Sequence, residues 1–525
     1  FNIETVTREF FEQYRELFLK LKEELDSIIC LSSAVRDEFS RKQVNTIDFA
    51  KKLLGQIIFL YFLQKKGWFG VQRDAPWGCG SKHFLRELFD KKHGDYRNFF
   101  NDILEPLFYE ALRIDRSHDD HYYRLFNCKI PFLNGGLFDP IKNYDWVHTD
   151  ILIPNPLFSN DQKTVYGDQG DGIFDVFDRY NFTVKEDEPL EKEVAIDPEL
   201  LGKAYEKFNA IREDNYDEYK KALRCGKRGE ENQFNKQHGV YYTPREIVHY
   251  MCQQSLVYYL YFQLRNKDEM NRFSSCGQNQ LELFDANGIN PLDMADSMSQ
   301  QSGISQTDLE YLIHYGEHVG ENEAHVESVG KETETYRYQL PESIRKNAEI
   351  IDEKLAGIKV CDPAIGSGAF PVGMMSEIVR ARIILSTFIK DQNRSVYRFK
   401  RDCIENSLYG VDIDSGAVEI AKLRLWLSLV VDEDDIRSIK PLPNLDYRII
   451  CGDSLLGFPL TPSLGSEIEK LKQQFLIETR VSEKEKLKSE INQKINFLLS
   501  ESERHLGRSI SMDIRVNFSE IFHEK

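Results

Sequence analysis

A doubly wound α/β sheet preceded by a mostly α-helical domain is the architecture that three features of the 525-residue sequence predict. Short apolar strand patterns recur at 358–361, 408–414 and 447–451, and an acidic residue stands at the carboxyl end of each. A glycine loop and a helical pattern, Ala369 to Leu385, follow the first of them, which is the strand–loop–helix unit of parallel sheets. Much of the chain before residue 230 instead carries apolar residues at three-and-four spacing. At roughly 150 residues per domain the length predicts about three or four units and excludes a single small binding module.

Composition narrows the function. Hydrophobic residues make up 41% and charged residues 29%, with mean hydropathy -0.49, as in folded globular proteins. With 68 basic and 86 acidic residues the net charge is -18, which argues against a chain that coats nucleic acid over its whole surface. A local basic groove remains open: Arg394, Arg398, Lys400 and Arg401, with Tyr397 and Phe399 between them, suit phosphate and stacking contacts, and a solvated helix face is the plainer reading. The apolar run Leu53 to Leu63 is interrupted by Gln56 and falls short of the ~20 residues a bilayer crossing needs, so it predicts a buried helix. Nine scattered cysteines without a CxxC pair, and residues 1–20 without an export signal, predict reduced thiols and a cytoplasmic protein.

Along the chain, residues 1–31 predict an amphipathic helix burying Phe10, Phe11, Tyr14, Leu17, Phe18 and Leu21, and residues 46–66 a second helix stopped by Gly67. Gly70 to Gly80 predicts a loop, 81–130 mainly helix, and 140–190 irregular structure with a strand-like Asn181 to Val184. Asp197 and Pro198 open a predicted helix through Phe208, and charge runs after Asn215 predict an exposed connector. The polar stretch 265–345 predicts a surface insertion with a helical piece at Asp308 to Tyr315. Ile468 to Leu499 predicts an αα-hairpin with a capping box from Ser482 and Glu485.

The chemistry concentrates at Asp362-Pro363-Ala364-Ile365-Gly366-Ser367-Gly368. Its glycines let the backbone approach a ligand, and the helix that follows presents unpaired N–H groups to an anionic group. The spacing is not GxGxxG, and Asp362 stands where a dinucleotide's pyrophosphate would approach, so a phosphate ligand is disfavoured. S-adenosylmethionine fits better: its ammonium can face Asp362 and its carboxylate can meet backbone N–H groups. After the second strand, Asp412 is placed to grip the ribose hydroxyls, because alternation past a buried Val411 and Ile413 also turns Asp414 outward; Asp414 as a helix-capping neighbour is the rival, and Ser415 is a candidate cap. About 50 residues separate Asp362 from Asp412, more than the ~20 of dinucleotide folds, so an elaborated crossover is required. Asp453, after the third strand, suits the adenine amino group.

These residues resemble known motifs. Asp362 to Gly368 is similar to motif I of amino-methylating DNA methyltransferases, Asp412 to the acidic residue of motif II, and Gly452-Asp453-Ser454 to motif III. Gly239-Val240-Tyr241-Tyr242-Thr243-Pro244 resembles motif X, which closes over the methionine end of the cofactor in that family. The order X before I resembles the γ class of adenine-N6 enzymes, particularly type IIG restriction-modification proteins. Phe49 to Trp68, Asn134 to Phe138, Asp178 to Phe182 and Asp197 to Gly202 look like the helical connector that precedes the methylase in those proteins.

The resemblance implies a Rossmann-like S-adenosylmethionine-dependent methyltransferase with an incomplete sheet at 231–525, interrupted by insertions near 265–345 and 461–510, behind a helical domain at 1–230. It implies cofactor contacts from Tyr241, Thr243, Pro244, Asp362, Pro363, Ala364, Gly366, Ser367, Gly368, Asp412, Ile413, Asp453 and Ser454, double-stranded DNA as partner, and methyl transfer to adenine N6. The family's catalytic Asn/Asp/Ser-Pro-Pro-Tyr/Phe motif occurs nowhere, which predicts a fragment of a longer polypeptide that is inactive alone. Glu199 and Lys203 are read as an i,i+4 salt pair and not as a nuclease centre, and His238, His249 and His314 lack metal-ligand spacing. Methylation of RNA or protein by the same fold, and a non-catalytic interaction scaffold, are the alternatives.

Overall fold

Periodicity in the first 64 residues becomes packing. The computed structural model describes residues 3–133, 136–164, 167–182, 195–196, 202, 211–224, 243–264, 304–316, 340–391, 393–430, 433, 436–455, 462–506 and 512–522. Helix α1 (Ile3–Leu31) buries the six residues expected of its apolar stripe. The Ser33–Lys42 helix, which the sequence reading did not separate, is capped by the Ser32 side chain accepting from Val35 N. Helix α2 (Thr46–Gln64) is capped by Asn45 and, being apolar nearly all round, is buried nearly end to end between α1 and the helix after the second strand. Gly67 has φ +67°, and a Cβ there would lie 2.3 Å from the Gly78 carbonyl oxygen, so only glycine fits this stop.

Further on, several expectations need correcting. Phe84–Phe89 and residues 99–111 are helical, but Tyr122–Tyr123 and Cys128–Lys129 pair as an antiparallel ribbon, with His121 and Asn127 at positive φ beside it. Tyr216–Arg224, expected as an exposed connector, is a helix because Tyr216 and Tyr219, one turn apart, are both buried. Asn181–Phe182 pairs in parallel with Ala195–Ile196. Apart from Gly202, the expected helix from Asp197 to Phe208, including Glu199 and Lys203, lies outside the described residues, as does most of 265–345; within that stretch residues 306–316 are helical as expected.

Beyond residue 243 helices α3 (Arg245–Gln263) and α4 (Ala348–Gly357) lead to strand β1 (Val360–Asp362). Then come α5 (Ala369–Ser386), β2 (Leu408–Asp412), α6 (Ser415–Val430) and β3 (Ile449–Cys451), followed by the hairpin α7 (Pro462–Ile477) and α8 (Val481–Leu506). The sheet order is β1–β2–β3, with β2 parallel to β3 and Asp412 opposite Cys451. The hairpin encloses Ile468, Phe475, Ile491, Ile495 and Leu498. Its expected capping box does not form: Ser482 lies inside the first turn, and Glu478 instead accepts from the Thr479 and Arg480 amides.

By compactness the chain divides into two units, one of Phe1–Tyr242, Cys361–Ala369 and Tyr409–Lys525, the other of Thr243–Val360 and Phe370–Leu408. In the second, Asp352 receives both Arg382 (2.9 Å) and Arg394 (2.7 Å), and both guanidiniums lie over the Phe399 ring. Tyr397 and Phe399 are buried and Arg401 pairs with Glu405 at 2.7 Å. Arg394 and Arg401 are therefore engaged in ion pairs and both aromatics are packed inside, while Arg398 remains exposed.

In the first unit an ionic chain ties the N-terminal region to the helices after the sheet. Asp139 meets Arg113 (2.7 Å) and Lys484 (3.0 Å), Asp446 meets Lys422 (3.0 Å) and Lys488 (2.7 Å), and Glu419 joins Lys422 (3.1 Å) to Lys52 (3.9 Å). Burial opposes ionisation of Asp446, but Lys422, Lys488 and Lys484 overcome it and hold its carboxyl well below the usual carboxylate range. Its stabilisation is thus present above the unfolded aspartate pKa of about 3.9 and lost only as pH falls through the lower folded value. Asp446→Asn, which takes the carboxylate from Lys488 and leaves Lys422 with Glu419 alone, is expected to cost about 3 kcal/mol in urea unfolding at neutral pH. An unchanged midpoint would mean that the chain of charges contributes nothing.

Candidate functional site

Each of the acids singled out in the sequence follows a strand of one sheet. Asp362 ends β1 and Asp412 ends β2, while Asp453 lies two residues beyond β3. Because β2 is the middle strand, Asp412 stands between the other two ends. The Gly452 N–H donates to the Asp412 carbonyl at 2.9 Å, which carries the ladder one step past β3 and fixes where Asp453 emerges.

The glycine loop sits over β2. Ile365 N donates to the Val411 carbonyl at 2.9 Å, and a Cβ on Gly410 would lie 2.2 Å from the Ile365 side chain, so the strand must be bare there. Gly366 N donates to Asp412 Oδ2 at 2.9 Å, and Asp414 N donates to Asp412 Oδ1 at 2.9 Å. Gly368 N closes the turn onto the Ile365 carbonyl at 2.9 Å. The Ile365, Gly366 and Gly368 amides are therefore satisfied within the protein.

The rim instead carries uncompensated negative charge. Burial and, secondarily, Asp412 push the Asp362 carboxyl above the usual aspartate range, against the Ala364 N–H that its Oδ1 accepts at 3.0 Å. No cation among the described residues offsets that shift. Each Asp412 oxygen spends one acceptor position on the backbone and keeps another. Asp453 accepts from Leu455 N at 3.0 Å, an Asx turn that leaves its other oxygen outward. The Cys361 thiol, pushed up to about 11 by burial first and Asp362 second, stays protonated and supplies no thiolate nucleophile. Half-buried carboxylates with no described cation against Asp362, beside hydroxyl-accepting positions, suit a ligand with a positive charge and a diol.

The alternation argument that chose Asp412 over Asp414 fails at one step. Val411 is buried, but Ile413 is 67% exposed and Asp414 is buried, because the strand ends at Asp412 and the chain turns. Asp414 folds back to cap α6, accepting from Ala417 N at 2.9 Å, so it and not Ser415 is the cap. Exposed Ile413 is left as an apolar surface beside Asp412. Of the motif X residues, Tyr241 lies outside the described residues; Thr243 and Pro244 are exposed at the start of α3 in the second unit, with Pro244 in the cap position expected of Thr243. Pro363, Ala364, Ser367 and Ser454 lie where the motifs put them, in the turns after β1 and β3.

Sequence reasoning missed two contributors, Ala421 and Arg424 of α6, which face the loop one turn apart. The signal was a lone arginine among Leu423, Leu425, Trp426 and Leu427. A separate cavity of about 600 Å³, lined by Lys51, Gly136, Ser415, Lys422 and Cys451 among others, contains none of the rim acids. Among the described residues no three His, Cys, Asp or Glu side chains gather as a metal site, no disulfide joins the cysteines, and no helix is long and apolar enough to cross a membrane.

A family model described as Eco57I restriction-modification methylase matches residues 406–522, from just before β2 through the hairpin. Over 482 residues the chain is 26% identical to a Methanocaldococcus jannaschii protein named as a candidate type II restriction enzyme and methyltransferase. That alignment covers 87% of this chain and 32% of the relative, so the chain spans about a third of its length. No solved structure gives a match. The resemblance to restriction-modification methyltransferases drawn from the motifs is borne out by both.

Gly368 has φ +85°, and a Cβ there would lie 3.1 Å from Ala421. Gly368→Ala is expected to destabilise the chain by about 1 to 2 kcal/mol from the left-handed backbone alone. Adding Ala421→Gly should relieve the contact but not that strain; an unaltered unfolding midpoint for the single variant would refute the loop geometry.

Proposed function

We propose that the chain is the cofactor-binding part of a site-specific DNA adenine-N6 methyltransferase of the type IIG restriction-modification kind, acting in the cytoplasm on double-stranded DNA. The observation that carries this reading is the set of acids at the ends of adjacent strands, with Asp362 raised by burial and met by no described cation. The cofactor is S-adenosylmethionine, held on a Rossmann-like sheet, and when bound it supplies a methyl group made electrophilic by its sulfonium.

The protein's own groups divide the work of holding it. Asp362 faces the ammonium, where removal from water strengthens the attraction. The remaining acceptor positions of Asp412 take the two ribose hydroxyls, Ile413 covers the adenine ring, and Asp453 accepts from the adenine amino group. Ser367 and Ser454 line the turns, and in the resembled family the motif matched by Tyr241, Thr243 and Pro244 closes over the methionine end. None of these residues polarises the acceptor amino group. That role falls to the Asn/Asp/Ser-Pro-Pro-Tyr/Phe motif of the resembled family, absent from the 525 residues, so the chain by itself is expected to bind donor without transferring methyl. Support for DNA as acceptor comes from the restriction-modification description shared by the two matches.

Calorimetric titration tests the donor. Asp412→Ala is expected to weaken S-adenosylmethionine binding by about 1.5 to 3 kcal/mol, the range for hydrogen bonds to a charged group; an identical titration would remove Asp412 from the site. A cationic ligand needs Asp362 ionised, so affinity is expected to fall as pH is lowered, beginning above the usual aspartate range because Asp362 protonates early. With the parent polypeptide and labelled donor, tritium should appear in adenine of duplex DNA; label in cytosine, RNA or protein would overturn the acceptor.

A further inference from the structure

Arg424 does not belong to any of the motifs, yet it is only 4% exposed in the middle of an apolar helix. Burying a guanidinium is costly unless it is engaged, and its neighbours Leu423 and Leu425 show what the position would carry for packing alone. Its Nη1 donates to the Ser367 carbonyl at 3.0 Å and reaches Ser367 Oγ at 3.3 Å, and Ser367 is itself 2% exposed. The peptide joining Ser367 to Gly368 is planar. Arg424 therefore grips one end of the plane whose other end, Gly368 N, closes the turn onto Ile365 O.

Three consecutive loop residues are thus fixed from β2 and α6: Gly366 by the Asp412 carboxylate, Ser367 by Arg424, and Gly368 by close approach to Ala421. The connector reaches the same point. A Cβ on Gly202 would lie 2.6 Å from Arg424 Nη1 and 2.8 Å from Cζ, so the guanidinium is backed by bare connector backbone. Because Ser367 holds Nη1 from another side and the residue is buried, an added methyl group at Gly202 presses directly on the guanidinium.

We propose that Arg424, backed by Gly202 of the connector, is the positioning residue that holds the Gly366–Gly368 loop in its cofactor-receiving shape, so that the connector sets the affinity for the methyl donor. The loop-holding part stands on the geometry; the effect on the donor rests on the cofactor reading given above.

The test uses the 525-residue chain and two readouts, hydrogen exchange of the loop amides without ligand and calorimetric titration with S-adenosylmethionine. Arg424→Met is expected to speed exchange at Gly366 and Gly368 and to weaken binding about tenfold, equivalent to about 1.4 kcal/mol. Arg424→Lys, which keeps one charged donor, should fall between Met and wild type, a graded rescue that mere core repair would not give. Gly202→Ala leaves Arg424 in place and should shift both readouts in the same direction by a smaller factor, so it and the Lys variant carry the test if Arg424→Met fails to fold. Unchanged exchange and affinity in cooperatively melting Gly202→Ala and Arg424→Lys proteins would overturn the proposal, as would faster exchange with wild-type affinity. Faster exchange in a chain whose wild type binds no donor would overturn the cofactor reading while leaving Arg424 as the holder of the loop.

Discussion

One carboxylate organises the candidate site. Asp412 accepts the Gly366 amide through one oxygen and the Asp414 amide through the other, so a single side chain at the end of the middle strand joins the turn after β1 to the turn that starts α6. Both turns depend on it, because each amide would otherwise face a rim of carboxylates with no protein acceptor assigned. The same bonds leave the outward acceptor positions aimed away from the backbone. A residue set among acidic neighbours is thereby fixed by two backbone amides.

The region before the sheet contributes more than a spacer. Helix α2 is a core element of the same compact unit as the glycine loop, packed on α6, and Lys51 near its start donates to the Ile211 carbonyl at 2.9 Å and lies 3.8 Å from Asp414. Asp139, Glu419, Asp446 and four lysines then bind that region to α6 and α8. Paired charges of this kind add little net stability relative to apolar packing, but they fix one register, since any slip strands a buried charge. For a loop whose shape is set within tenths of an ångström, register is the property that matters.

Local patterns were legible and long-range ones were not. The strands, the glycine loop, α1 and α2 could be read because apolar periodicity and glycine placement are properties of a few consecutive residues. Asp412 does end its strand, but the alternation used to choose it breaks at exposed Ile413, and Asp414 turns back to cap α6. The basic window at 394–401 misled because its partner, Asp352, lies 42 residues earlier in the chain. Ser482 looked like a cap until Glu478, from the preceding turn, took the amides. Arg424 was passed over because its significance lies in a carbonyl 57 residues away, although a single arginine in an apolar helix is a visible anomaly.

The two matches, an Eco57I restriction-modification methylase family and a protein named as a type II restriction enzyme and methyltransferase, agree with the motifs. Acids stand at the strand ends, and the Ile365, Gly366 and Gly368 amides of the loop are engaged within the protein. The most direct test is a crystal structure of the chain soaked with S-adenosylmethionine. The account requires the ribose on Asp412 with the ammonium beside Asp362; density in the 600 Å³ cavity lined by Lys51 and Lys422, with the rim empty, would contradict it.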